Sequence, residues 1–117
     1  MRMTRHVTGR CYCGAVRFEA DEAPIAVRAC WCRDCQYFAT GNASVNAIFK
    51  ADSMKVTGEL AEYVSKADSG NTMRRRFCPK SGTQLFRQGS GRPDLMIIRV
   101  GALDDPRGQS ASSITRP

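Results

Sequence analysis

Six cysteines in three clusters are the residues of this sequence best equipped for chemistry. Cys30, Cys32 and Cys35 lie within Ala29-Cys30-Trp31-Cys32-Arg33-Asp34-Cys35, with nothing between them bulky enough to keep the sulfurs apart. Cys11 and Cys13 lie upstream in Arg10-Cys11-Tyr12-Cys13-Gly14, and Cys78 lies downstream in Phe77-Cys78-Pro79-Lys80-Ser81-Gly82. In a chain whose N-terminus has basic residues but no apolar leader, a reducing cytoplasm is the expected setting, and there clustered thiols point to metal ligation before disulfides. A redox dithiol and structural disulfides are the competing readings. Two residues apart on an extended strand, side chains on one face are roughly 6.6 Å apart. Two thiolates on a tetrahedral zinc lie within about 4 Å. The chain must therefore curl at Cys11 to Cys13, and Gly14, which tolerates positive φ, permits the curl.

The elements that must position these clusters read as short strands. Ala15 to Ala20 alternates apolar and polar residues, and Ile25 to Ala29 is an extended segment that delivers the chain into the three-cysteine cluster. Gln36 to Thr40 is expected to form one helical turn, stopped by Gly41-Asn42. Asn46 to Lys50, Met54 to Thr57 and Leu60 to Ser65 read as three further strands. Thr72 to Phe77 leads into the last cysteine cluster, and Thr83 to Arg87 leaves it. Leu95 to Val100 is the most apolar strand and is expected in a sheet interior, after a turn at Gly89 to Asp94. The fold class expected is all-β: small antiparallel sheets carrying cysteine knuckles. One domain over residues 1–106 is expected, with a loose tail over 107–117.

Composition narrows the function classes. The 117 residues suffice for one modest core, and no apolar run approaches the roughly 20 residues of a membrane span, so no membrane partner is expected. The net charge of +7 favours anionic ligands, but the basic residues are spread along the chain. Arg74-Arg75-Arg76 is their only run and is expected to form a solvated strand face, so nucleic acid is the weaker partner class. His6, the only histidine, is expected in a disordered leader. Tyr37 and Phe38 are expected in the core, and Trp31 is expected to shield the cluster from water. Spacing alone leaves one partition open: Cys30, Cys32, Cys35 and Cys78 could close a single four-thiolate site, leaving Cys11 and Cys13 as a spare pair.

The combination of Gly9-Arg10-Cys11-Tyr12-Cys13-Gly14-Ala15-Val16, Cys30-Trp31-Cys32-Arg33-Asp34-Cys35 and Phe77-Cys78-Pro79-Lys80-Ser81-Gly82-Thr83 resembles the glutathione-dependent formaldehyde-activating enzyme family, or centromere-protein-V-like domain. The resemblance covers roughly residues 9 to 106 and extends to Gly91-Arg92-Pro93-Asp94-Leu95 and Val100-Gly101-Ala102-Leu103-Asp104. It implies a β-tent fold with two Zn2+ sites. One site would take Cys11, Cys13 and Cys78, with its fourth family ligand falling at Ser81, the clearest departure from the pattern, because a hydroxyl is a far poorer zinc donor than a thiolate. The other would be held by Cys30, Cys32 and Cys35, which are also the catalytic residues implied, with a fourth position open. The activity implied is that of a carbon-sulfur lyase resembling S-(hydroxymethyl)glutathione synthase, acting on a small-molecule thiol such as glutathione, in a monomer or homodimer. The rival reading is a non-catalytic or degenerate zinc-binding module that binds nucleic acid or a protein.

Overall fold

Two sheets face each other across one apolar core. The computed structural model describes residues 6–106 and, by their backbone, residues 113–115. The smaller sheet is antiparallel and has the order β1 (Val7–Arg10), β2 (Arg17–Ala20), β5 (Met54–Thr57). The larger has seven strands in the order β10 (Ser113–Thr115), β3 (Ala26–Cys30), β4 (Ser44–Lys50), β9 (Leu95–Arg99), β8 (Gln84–Gly89), β7 (Thr72–Phe77), β6 (Ala61–Lys66). All its pairings are antiparallel except that of β10 with β3. The β-rich architecture of antiparallel sheets with cysteine clusters is thus the one expected. Of the segment expected to be a loose tail, residues 107–112 and 116–117 lie outside the described residues, and 113–115 form the parallel edge strand.

Alternation along the strands explains the core. Val27, Ala47, Ile98 and Phe86 occupy one row across β3, β4, β9 and β8 and share one buried cluster with Phe18 and Ala20 of the small sheet and with Val16 just before it. Phe18 and Phe86 meet edge to face, ring centres 5.3 Å apart. Gly9 is needed where β1 crosses this pair, since a Cβ there would fall 2.2 Å from the Phe18 ring and 2.5 Å from the Ala102 carbonyl oxygen. Removing the Phe86 ring leaves Phe18 without its partner, and Phe86→Ala is expected to lower unfolding free energy by about 3–5 kcal/mol. Urea denaturation checks this, and a loss under about 1 kcal/mol would show that the core does not run between the sheets.

The opposite face of the large sheet is polar and partly covered. Registered rows place Arg28 beside Asn46 and Arg99, and Ile48 beside Ile97, Arg87, Arg75 and Tyr63. The helix α1 (Arg33–Phe38) follows β3, with Phe38 stacked on the Arg75 guanidinium at 4.7 Å. The helix begins three residues before the expected turn, because Cys32 caps it: its Sγ accepts the Cys35 N–H at 3.4 Å. Tyr37, expected in the core, is 70% exposed beneath Arg33. The expected solvated face at Arg74 to Arg76 is also corrected. Arg74 and Arg76 both bind Glu62, whereas Arg75 points to the other face and is buried.

Candidate metal centre

The first knuckle is a tight turn closed by the Gly14 N–H donating to the Cys11 carbonyl at 3.1 Å, with Gly14 at φ 82°. The second is the turn Cys78 to Gly82, closed by the Gly82 N–H on the Cys78 carbonyl at 2.8 Å, with Gly82 at φ 75°. Both glycines take the left-handed conformation that side chains resist, which lets the preceding residue turn inward. In the first knuckle that preceding residue is Cys13 and in the second it is Ser81.

These turns bring Cys11, Cys13 and Cys78 together, with sulfur separations of 3.6 Å from Cys11 to Cys13 and 3.7 Å from Cys13 to Cys78. A disulfide would need about 2.05 Å; all six cysteines are free. Two sulfurs at about 2.3 Å from a tetrahedral zinc stand about 3.8 Å apart, so this donor set fits such an ion. Cys78 therefore belongs with Cys11 and Cys13, and the partition that joined it to Cys30, Cys32 and Cys35 is not adopted.

Backbone donors prepare these sulfurs for the thiolate form. The Val16 N–H reaches Cys11 Sγ at 3.2 Å, and the Lys80 and Ser81 N–H groups reach Cys78 Sγ at 3.3 and 3.4 Å. Burial works against the Cys11 thiolate, yet the Val16 amide together with Cys13, Cys78 and Ser81 brings the group down to about 6. Cys78 is lowered first by the Ser81 hydroxyl and then by the Ser81 and Lys80 amides. A depressed pKa contributes stability that is complete above the ordinary value of 9.0 and is lost as pH falls through about 6 for Cys11. The Ser81 hydroxyl, 2.9 Å from Thr83 Oγ1, faces Cys78 and Cys11 at the corner where a fourth ligand would stand.

The second cluster is built by different means. Cys30 is the last residue of β3, Cys32 is the helix cap, and Cys35 is the third helical residue. A cap side chain and the side chain three positions on face each other across the first turn. The ligand atoms of Cys30, Cys32 and Cys35 accordingly lie within 4.8 Å of one another. No fourth His, Cys, Asp or Glu joins either group among the described residues. His6, expected in a leader, is held by Glu19 at 2.8 Å and is no part of either cluster.

The charges around the second cluster escaped sequence reading. Arg75 and Arg99 are buried, Arg87 is half-buried, and the ion pairs among the described residues include none of them. Arg99 donates to Asn46 Oδ1, and Arg75 donates to Ser65 Oγ at 2.9 Å. Burial, with repulsion from Arg87 and Arg75, lowers Arg99 to about 10, while Cys35 and Cys30 pull it back up. Arg99 thus stays cationic at neutral pH. Unpaired buried cations are costly, and thiolate sulfur is the compensation at hand. Burial pushes Cys35 up, but Ser44, Cys32, Cys30 and the Arg87 charge outweigh it and hold the thiol below its usual range. Burial raises Cys30 to about 11, with its two sulfur neighbours adding to the rise. A metal dication would relieve that last conflict, because three thiolates around it would leave one net negative charge beside the arginines. The sequence signal was there in Leu95-Met96-Ile97-Ile98-Arg99-Val100, where Arg99 interrupts the most apolar strand on the face it shares with Leu95 and Ile97.

Cys30 also stands in the wall of a cavity of about 360 Å³ that lies along the polar face of the large sheet. Among the described residues no helix is long and apolar enough to cross a membrane.

Comparison with known proteins agrees with this arrangement. The crystal structure of a Rhodobacter sphaeroides protein superposes with a TM-score of 0.71 at 23% identity, covering 92% of this chain and 99% of that one, which shows a shared fold. No curated protein matches the sequence. The family model described as glutathione-dependent formaldehyde-activating enzyme matches residues 6–115, nearly the whole chain. With both thiol clusters of the resemblance assembled in space, this chain belongs to the glutathione-dependent formaldehyde-activating enzyme family.

Proposed function

We propose that the protein is a zinc-dependent carbon-sulfur lyase of the S-(hydroxymethyl)glutathione synthase type, joining the thiol of a glutathione-like substrate to formaldehyde or a related aldehyde. Cys30, Cys32 and Cys35 would hold the reactive Zn2+, and Cys11, Cys13 and Cys78 would hold a second one. The observation that carries the reading is a three-sulfur cluster with Cys30 in the wall of a cavity large enough for a small molecule. A zinc ion held by Cys30, Cys32 and Cys35 would supply Lewis acidity that lowers the pKa of an incoming thiol.

The chain's own residues would do the rest. Arg87, close enough to bias Cys35 electrostatically, and the Ser44 hydroxyl on the Cys35 sulfur would favour the thiolate of Cys35. In the reaction the substrate sulfur forms a bond to the carbonyl carbon, the carbonyl π pair moves to oxygen, and the proton lost by the thiol ends on that oxygen. Atoms balance with no oxidant, reductant or further reactant, and the reverse step is the lyase direction. The adduct also forms unaided, so the test compares rates: product formation from glutathione and formaldehyde, followed by nuclear magnetic resonance, is expected to exceed the uncatalysed rate by tenfold or more with the wild type and to fall to background with Cys32→Ser. Equal rates with and without protein would refute the assignment.

A second reading, a non-catalytic zinc module for nucleic acid, is favoured by the net charge of +7. Nucleic-acid affinity falling steeply with salt, together with indifference to thiols, would select it.

A further inference from the structure

We propose that the open edge of β6 is a self-association surface, on which a second copy of this chain lays its own β6 antiparallel and joins the two large sheets into one. The inference does not depend on the chemistry of the cysteine clusters. β6 is the last strand of the large sheet, and no described strand pairs with its outer side. Edge strands are ordinarily blunted by proline, a bulge, a cover or charge. Ala61–Lys66 holds no proline, pairs with β7 without a register shift, and leaves Tyr63 57% and Val64 45% exposed. Its two charges, Glu62 and Lys66, are of opposite sign and stand two residues either side of Val64. That spacing favours a copy of the same strand.

The β6–β7 hairpin determines which backbone groups are open. The Ala67 N–H donates to the Asn71 carbonyl at 2.9 Å, so this pair is a bonded one. Thr72, opposite Lys66, turns instead to Ser90, whose N–H reaches the Thr72 carbonyl at 2.9 Å and whose Oγ accepts the Thr72 N–H at 2.9 Å. Bonded and unbonded pairs alternate along an antiparallel ladder. Ser65 and Tyr63 therefore turn their backbone groups to β7, while Lys66, Val64 and Glu62 turn theirs to the open edge. Two copies related by a two-fold axis must match open groups to open groups, so the axis passes through a residue position. At Val64 it sets Glu62 opposite Lys66 of the partner subunit, twice over by symmetry. At Tyr63 it would set Glu62 opposite the partner's Val64, and at Ser65 opposite the partner's Asp68, a second carboxylate. Charge selects the Val64 register. Lys66 is exposed and in no ion pair among the described residues, so it is available to a partner. On the other face of the strand, Tyr63 would come opposite the partner's Ser65, beside a cavity of about 620 Å³ lined in part by Tyr37, Phe38 and Tyr63.

Sedimentation velocity of the full-length, metal-loaded chain tests this. The wild type is expected to pass from monomer to dimer as concentration rises to about 1 mM, since one strand pairing is a small interface. Lys66→Glu sets like charges opposite each other twice and is expected to weaken the dimer about tenfold. Glu62→Lys is expected to do the same alone. Mixing the two variants restores opposite charges at both pairs and is expected to recover a mixed dimer of wild-type affinity. Val64→Pro removes an N–H that faces the open edge and none that faces β7, so it is expected to abolish the dimer and keep the fold, with circular dichroism as the check. It also keeps the test decisive if Glu62→Lys, which gives up the bonds to Arg74 and Arg76, does not fold. A wild type that stays monomeric at about 1 mM would overturn the proposal. A dimer that folded Lys66→Glu and Val64→Pro both leave at wild-type affinity would overturn it as well.

Discussion

Ser81→Cys is expected to raise the metal affinity of the Cys11, Cys13, Cys78 cluster by about a hundredfold or more. Residues that merely orient metal ligands change affinity by about 10- to 100-fold, and a direct thiolate in place of a hydroxyl should do at least as much for a thiophilic ion. The geometry is ready for it. Ser81 precedes the left-handed Gly82 as Cys13 precedes the left-handed Gly14, and its hydroxyl already faces the sulfurs of Cys78 and Cys11. The backbone needs no change, because the knuckle turn and its amide bonds to Cys78 do not involve the side chain at 81. Competition against a chelator of known affinity checks the expectation. Equal affinity in the two proteins would mean that the fourth corner is filled by something other than the residue at 81.

Cys32→Ser is expected to remove one metal equivalent of two and to abolish the response to thiols. Its value lies in what it leaves intact. The Cys32 sulfur caps α1 by accepting the Cys35 N–H, and serine is among the preferred capping residues, so the helix and the placement of Cys35 should persist. What disappears is one of three soft donors, with affinity expected to fall by at least about a hundredfold. Metal analysis after gel filtration, with circular dichroism to show that the fold remains, reads this directly. Retention of both equivalents by a folded variant would remove the second cluster from consideration as a metal site.

The strands were largely legible in the sequence because alternation reports burial directly. Met54–Thr57 and Thr72–Phe77 lie where their patterns placed them, and the apolar Leu95–Arg99 runs between β4 and β8 inside the large sheet. The three cysteine clusters were legible as chemistry. Their grouping was not legible from spacing, which left Cys78 open to either set, but the family resemblance implied it with Cys11 and Cys13, and the fold carries it there. Helix α1 was placed too late because a cysteine is an unusual cap and its sulfur announces no helix start. Val7–Arg10 went unread, although it pairs with β2 through four residues, because Gly9 interrupts its alternation. The arginines were misjudged for a different reason. Arg74-Arg75-Arg76 reads as one charged run, yet strand geometry turns Arg75 to the opposite face, where Arg87 is its cross-strand neighbour and Phe38 covers it. Arg87 and Arg99 act electrostatically on the Cys30 and Cys35 thiols, a proximity that no local pattern reveals.

The most direct test is the visible spectrum of the cobalt-substituted protein during addition of glutathione. The arrangement of Cys30, Cys32 and Cys35 predicts a saturable gain in sulfur-to-cobalt charge-transfer intensity in the wild type, absent in Cys32→Ser. A wild-type spectrum unmoved by glutathione, with both cobalt equivalents bound, would contradict it.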